Sequence, residues 1–215
     1  MSSAGVPQAF GLAVTTPPAA EPLELAALKA HLRITWDSED ALLAGYLAAA
    51  RVYVEGWLGR CLIVTGLRLT LDRFPSCYDR GGAIYLPRPP LLAVASVKYY
   101  STAGVLTTLS SSAYRVDAAT EPGRLAPLDG TDWPSTQTRP AAVQIDYTAG
   151  YGTTAADVPA TIQQALLLLA GHYWLNREAV TVGPAGAVLP MAVESLLSCE
   201  VFHERDPRRT AQQFA

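Results

Sequence analysis

Lysine is almost missing from this chain. Of 215 residues, only Lys29 and Lys98 carry an ammonium group, so nearly all positive charge is arginine. Arginine forks suit bidentate contacts to carboxylates across interfaces, although a GC-rich genome produces the same bias. Charge of either sign is also scarce. Charged residues make up 16% of the chain and hydrophobic ones 50%, against the usual quarter charged. A surface so short of charge fits extensive contact with other subunits, and an abundance of alanine inflates the hydrophobic count in the same direction. The net charge of −3 argues against a protein that reads DNA sequence, which carries a basic face. It leaves room for a weakly acidic wall past which a polyanion slides without sticking.

Other absences remove whole classes of chemistry. The cysteines Cys61, Cys77 and Cys199 are widely spaced with no Cys-x-x-Cys pair. The histidines do not complete a zinc spacing, which leaves reduced thiols and no metal ligands. Asp129, Asp132, Asp146 and Asp157 do not have calcium-loop spacing. Neither Gly150-Tyr151-Gly152 nor Gly81-Gly82 continues into a phosphate-cradling motif, so both read as turns. His172, Asn176 and Glu178 fall near one helix end, and the first two share a face. No serine or cysteine in an activating motif accompanies them. No catalytic, cofactor-binding or metal-binding residue is therefore assigned, and no cofactor is expected. No apolar run is long enough to span a bilayer, so no membrane partner is expected. Residues 1–16 lack the basic start and apolar run of a secretory signal.

What is present is a clear change of period along the chain. Residues 1–20 are rich in Ser, Gly, Pro and Ala and read as a flexible or extended arm. Pro22 can open a short helix carrying Leu25, Leu28 and Leu32. Asp37 or Ser38 then caps a long amphipathic helix over 38–58, with Glu39 and Asp40 in its first turn and Gly59 as its stop. Its apolar stripe, which includes Trp57, is expected to be core. From Leu67 the period becomes two, and strands are expected at 67–71, 83–86, 94–100, 105–109, 114–116, 123–127 and 142–147, with Gly, Pro, Ser and Asp clusters between them. Trp133 falls in a loop, where an exposed aromatic can be a contact point. Helix returns over 161–177 after Pro159, and a last short helix follows Pro190.

The fold class expected is therefore α+β. A helical core built from N- and C-terminal helices carries an inserted small antiparallel β unit, sandwich-like or barrel-like. The organisation reads as a flexible arm (1–21), core helices (22–60), the β insertion (61–150), core helices again (151–198) and a polar tail (199–215). In that tail Phe202, Arg205, Arg208, Arg209 and Phe214 mix apolar anchors with charge in a segment too short to own a core. It is either a segment that orders on a partner or a frayed terminus.

Three stretches carry a family resemblance. The first is Leu28-Lys29-Ala30-His31-Leu32-Arg33-Ile34 followed by Asp40-Ala41-Leu42-Leu43. The second is Leu86-Pro87-Arg88-Pro89-Pro90-Leu91 followed by Val94-Ala95-Ser96-Val97-Lys98-Tyr99-Tyr100. The third runs from Val143-Gln144-Ile145-Asp146 through Tyr147-Thr148-Ala149-Gly150-Tyr151-Gly152 and Val158-Pro159 to a helix ending Asn176-Arg177-Glu178. In this order they resemble the head–tail connector, or adaptor, proteins of tailed bacteriophages and related gene-transfer particles, over roughly 22–197. The arm has no counterpart in that pattern.

The resemblance implies a structural protein of the virion neck, assembled in the host cytoplasm, with no catalytic residues. It implies a dodecameric self-assembled ring beneath the portal protein. That ring extends the channel through which double-stranded DNA passes unread, and it offers a surface to the next neck or tail-completion protein. It places the C-terminal segment on the portal, and it maps the family's Asn-Arg-Glu end onto Asn176, Arg177 and Glu178 as structural or inter-subunit residues. Two rivals remain from the residues alone. One is a ligand- or glycan-binding module using the β insertion. The other is an enzyme using His172 with Glu178 or a distant acid.

Overall fold

The computed structural model describes residues 10–76, 80–177, 191–198 and 200. The described residues form two compact units. One gathers those of Met1–Ala19 and Ile63–Thr153, the other those of Ala20–Leu62 and Thr154–Ala215. The class is α+β, with antiparallel sheets that do not close into a barrel.

The first unit is built from strands, with two short 3-10 turns at Arg80–Gly82 and Ser111–Ala113. Its larger sheet is built from β1 (Phe10–Thr16), β2 (Thr65–Leu71), β4 (Leu91–Tyr100), β5 (Leu106–Leu109) and β8 (Val143–Ala149), in the order β1-β2-β8-β4-β5. A smaller sheet has the order β3-β7-β6, from β3 (Ile84–Tyr85), β6 (Tyr114–Asp117) and β7 (Arg124–Pro127). Every ladder is antiparallel. The period of two expected for β2 sorts the larger sheet into two faces. Leu69 stands opposite Ile145, which stands opposite Val97, and all three are buried. Leu67–Tyr147 and Leu71–Val143 extend this buried row. On the other face Arg68 stands opposite Asp146, and Asp146 opposite Ser96.

One strand lies where the sequence reading has only an arm. β1 pairs along β2, with Phe10 opposite Leu71, Leu12 opposite Leu69 and Val14 opposite Leu67. The alternation Phe10, Leu12, Val14 is a strand signal hidden in a Ser/Pro/Ala-rich context. Gly11 completes the fit, because a Cβ there would come within 2.7 Å of Thr70 Oγ1.

The second unit is helical, with α1 (Leu25–Leu32), α2 (Asp40–Leu58), α3 (Ala160–Leu175) and α4 (Met191–Ser198). Leu43, Leu47, Ala50, Val54 and Leu58 recur at helical spacing and are buried along α2. Ile162, Ala165, Leu166, Leu169 and Ala170 do the same on α3, which packs against α1, α2 and α4. Val193 and Leu197 bury α4. Gly59, in the left-handed conformation at φ 66°, ends α2 as expected.

The start of α2 differs from expectation. No side chain caps it, and Glu39 occupies the cap position. Asp37 and Asp40 instead both take hydrogen bonds from Lys29 Nζ. An ammonium eight residues earlier outcompetes the local cap, because charge-assisted bonds are the stronger kind.

Candidate interaction surfaces

The turn that carries much of the family resemblance has a packing role. Gly150 adopts φ +139°, and a Cβ there would stand 2.6 Å from the Ile63 carbonyl. Its N–H donates to Pro90 O at 2.9 Å, while Val64 N–H donates to Gly152 O at 2.9 Å. Only glycine lets the chain end β8 and pass this close to another backbone. Beyond it, Thr154 and Asp157 form a reciprocal capping box around a short 3-10 turn. Gln163 Nε2 ties that turn to α3 by donating to Ala155 O and Val158 O.

At the far end of α3, Asn176 closes the helix. Its backbone N–H and its side-chain amide both donate to His172 O at 3.0 Å. Its amide nitrogen also lies 3.2 Å from His172 Nδ1. Arg177 leaves the helix and reaches Glu39 Oε1 at 3.1 Å, with its guanidinium 4.0 Å above the Trp174 ring. Trp36 Nε1–H donates to the other oxygen of Glu39 at 3.1 Å. Beside this, Lys29 is held charged, chiefly by its hydrogen bond to Asp37 and then by Asp40, which raise its pKa. The exposed end of α3 is thus joined to the start of α2 by a short charged lattice. Glu178 lies outside the described residues, as do Phe202, Arg205, Arg208, Arg209 and Phe214.

The chain reaches that C-terminal segment through an anchor that sequence reasoning missed. Arg60 is buried, and its Nε–H donates to Glu200 O at 3.0 Å. Thr161 Oγ1 donates to Glu200 Oε1 at 3.1 Å. An arginine just past a helix-ending glycine is an ordinary sequence, so only the burial reveals it.

The β unit has its own polar features. On the outward row, Arg68 Nε and Nη2 donate to the two oxygens of Asp146 at 2.6 and 3.1 Å, and Ser96 Oγ donates at 3.1 Å. The Arg68 bonds hold the Asp146 carboxyl below its usual pKa. A hollow beside the smaller sheet is lined by Gly81, Ala83, Arg115, Asp117, Arg124 and Asp129. Its arginines are paired with its own aspartates, Arg115 with Asp129 and Arg124 with Asp117, each at 3.0 Å. Trp133 is not an exposed contact point. It stacks on Phe74 with centroids 4.8 Å apart, and its indole N–H donates to Gly82 O. Trp57 departs from expectation the other way. It is 44% exposed and stacks on Tyr53, rather than lying in the core. Among the described residues no group of histidine, cysteine and carboxylate side chains is arranged to hold a metal ion, and no helix is long and apolar enough to cross a membrane.

Comparison with known proteins connects these surfaces to an assembly. Residues 22–118 match the Phage gp6-like head-tail connector protein family. A chain in the neck of an empty gene transfer agent particle, computed with C6 symmetry, is 28% identical with a TM-score of 0.72; the match covers 90% of this chain and 96% of that one. A chain in the virion of a native gene transfer agent particle matches at 28% identity over the same shares, with a TM-score of 0.71. A third, in the neck of a native particle computed with C12 symmetry, matches at 28% identity and a TM-score of 0.66, over 91% of this chain and 96% of that one. No curated protein sequence matches.

Proposed function

We propose, from the match of residues 22–118 to the Phage gp6-like head-tail connector protein family, that this chain is a connector that forms a ring beneath the portal of a phage-like particle. The ring extends the DNA channel and offers the attachment surface for the next neck or tail-completion protein. The carrying observation is a likeness, spanning about nine-tenths of this chain, to neck chains of gene transfer agent particles, one of them in a neck computed with C12 symmetry. A twelve-fold ring needs two different lateral faces on each copy, so that each contact is heterologous and the rotation closes. The scarcity of lysine and the net charge of −3 fit a wall that double-stranded DNA passes without being held or read.

The C-terminal segment bearing Phe202, Arg205, Arg208, Arg209 and Phe214 docks on the portal in this reading. Arg60 and Thr161 grip Glu200, the last described residue before it. Asn176 and Arg177, with Glu178 beyond them, serve the helical unit by closing α3 and linking it to α2. Assembly takes place in the host cytoplasm and ends in the virion neck.

The test is co-sedimentation of the purified protein with its cognate portal-bearing capsids, beside a truncation ending at Glu200. Saturable binding at ring stoichiometry is expected, and the truncation should abolish it. Binding that survives truncation moves the portal contact to the folded units. No binding at any salt concentration refutes the connector ring.

A further inference from the structure

The outer face of α2 presents large apolar side chains to solvent. Arg51 and Glu55 are the only charged residues between Ala41 and Leu58. Both are engaged on one flank: Arg51 with Glu21 at 2.8 Å and with Glu55 at 3.1 Å, and Glu55 also with the Leu62 N–H. At 100° per residue they leave roughly half of the helix circumference without charge, over a length of about 24 Å. That arc carries the exposed Leu42, Val52 and Trp57, with Gly45, Ala49 and Gly56 between them. Solitary exposed apolar side chains are ordinary, but a contiguous uncharged face marks an interaction site.

The glycines sharpen this. Each interior helix glycine costs about 1 kcal/mol relative to alanine. A Cβ at Gly45 or Gly56 would meet nothing within 4 Å, so no packing contact among the described residues requires a glycine there.

A second uncharged apolar strip lies on the β unit. By register Phe10, Leu12 and Val14 point to the same face as Leu71, Leu69 and Leu67. The β2 residues are buried, whereas the three on β1 are exposed. The covered face of the sheet stops at β2 and β1 overhangs it.

We propose that the outer face of α2 seats the β1 strip, Phe10, Leu12 and Val14, of the neighbouring copy in the ring. This rests on the ring reading above and names its lateral contact. The two strips lie on different units of the chain, both lack charge, and a closed ring consumes two unlike faces per copy. An uncharged helix face offers nothing to DNA phosphates.

The test uses sedimentation velocity of the full chain without particles. It is run up to about millimolar concentration, the local value that a multivalent platform imposes. Wild-type protein is expected to self-associate. Val52→Glu and Leu12→Lys should each raise the midpoint concentration at least about tenfold. The double variant, which places opposite charges across the contact, should recover most of that loss. Val105→Glu is the control, equally exposed at 61% but remote from both strips in sequence, and it should behave as wild type. Thermal melts of all variants separate lost contact from lost fold. A wild-type chain that stays monomeric, singles that associate normally, or a double variant that fails to recover would each overturn the pairing. Self-association without particle binding leaves this contact standing and sinks the portal reading instead.

Discussion

The outward row of the larger sheet and the outward face of α2 are finished differently. On the sheet, Arg68, Asp146 and Ser96 satisfy one another across three neighbouring strands. On α2 every charge is drawn to one flank, and what remains outward is apolar. The first surface is complete in one copy and faces water at little cost. The second is complete only when something covers it. Substitutions should therefore show opposite signatures on the two surfaces. Those in the sheet should alter folding stability, and those on the outer face of α2 should alter association.

The largest expected effect tests whether the signature turn belongs to folding. Gly150→Val places a side chain against the Ile63 backbone at a φ only glycine adopts readily. It should destabilise the chain by more than about 3 kcal/mol, read by thermal or urea unfolding. A near-normal melt would mean that the turn is kept for a partner instead. Next, Leu47→Ala removes a side chain that is 2% exposed between α2 and its neighbours. A loss of about 3 kcal/mol is expected, and a much smaller one would show that the helical unit is loosely packed.

Smaller effects probe the outward surfaces themselves. Asp146→Asn should cost about 1 kcal/mol at neutral pH, as expected for a partly exposed ion pair. The sign of its pH dependence follows from a carboxyl whose folded pKa lies below the unfolded value. Its stabilisation is fully present above the unfolded value of about 3.9 and is lost as pH falls through the folded one. Wild-type and Asp146→Asn melting curves should therefore converge in acid, and parallel curves would remove the pair from the account. The smallest effect runs the other way. Gly45→Ala should stabilise the isolated chain by up to about 1 kcal/mol, since the added methyl meets no described atom within 4 Å. If that variant also associates as well as wild type, glycine at this position has no interface to serve.

Much of the architecture is legible in short-range pattern. The switch from helical to two-residue period at Leu67, the strands between Gly and Pro clusters, and the glycine that stops α2 all come from local rules. Local rules fail at three places for one reason. β1 is concealed by its composition and exists because β2 offers a ladder. Asp37 looks like a cap, but Lys29 claims it. Trp57 sits on an apolar stripe, yet the stripe is wider than the buried face, so the tryptophan is left in solvent.

The sequence alone therefore determined the α+β class and the order of helices and strands beyond the N-terminal arm, because period and turn signals act within a few residues. The head–tail connector resemblance was also readable there, carried by short motifs in a particular order. Tertiary structure alone decided that Arg60 is buried and bonded to Glu200, that Gly150 must be glycine, and that Leu42, Val52 and Trp57 of α2 are exposed. Those facts depend on which distant backbone or side chain arrives, and no local pattern encodes that arrival.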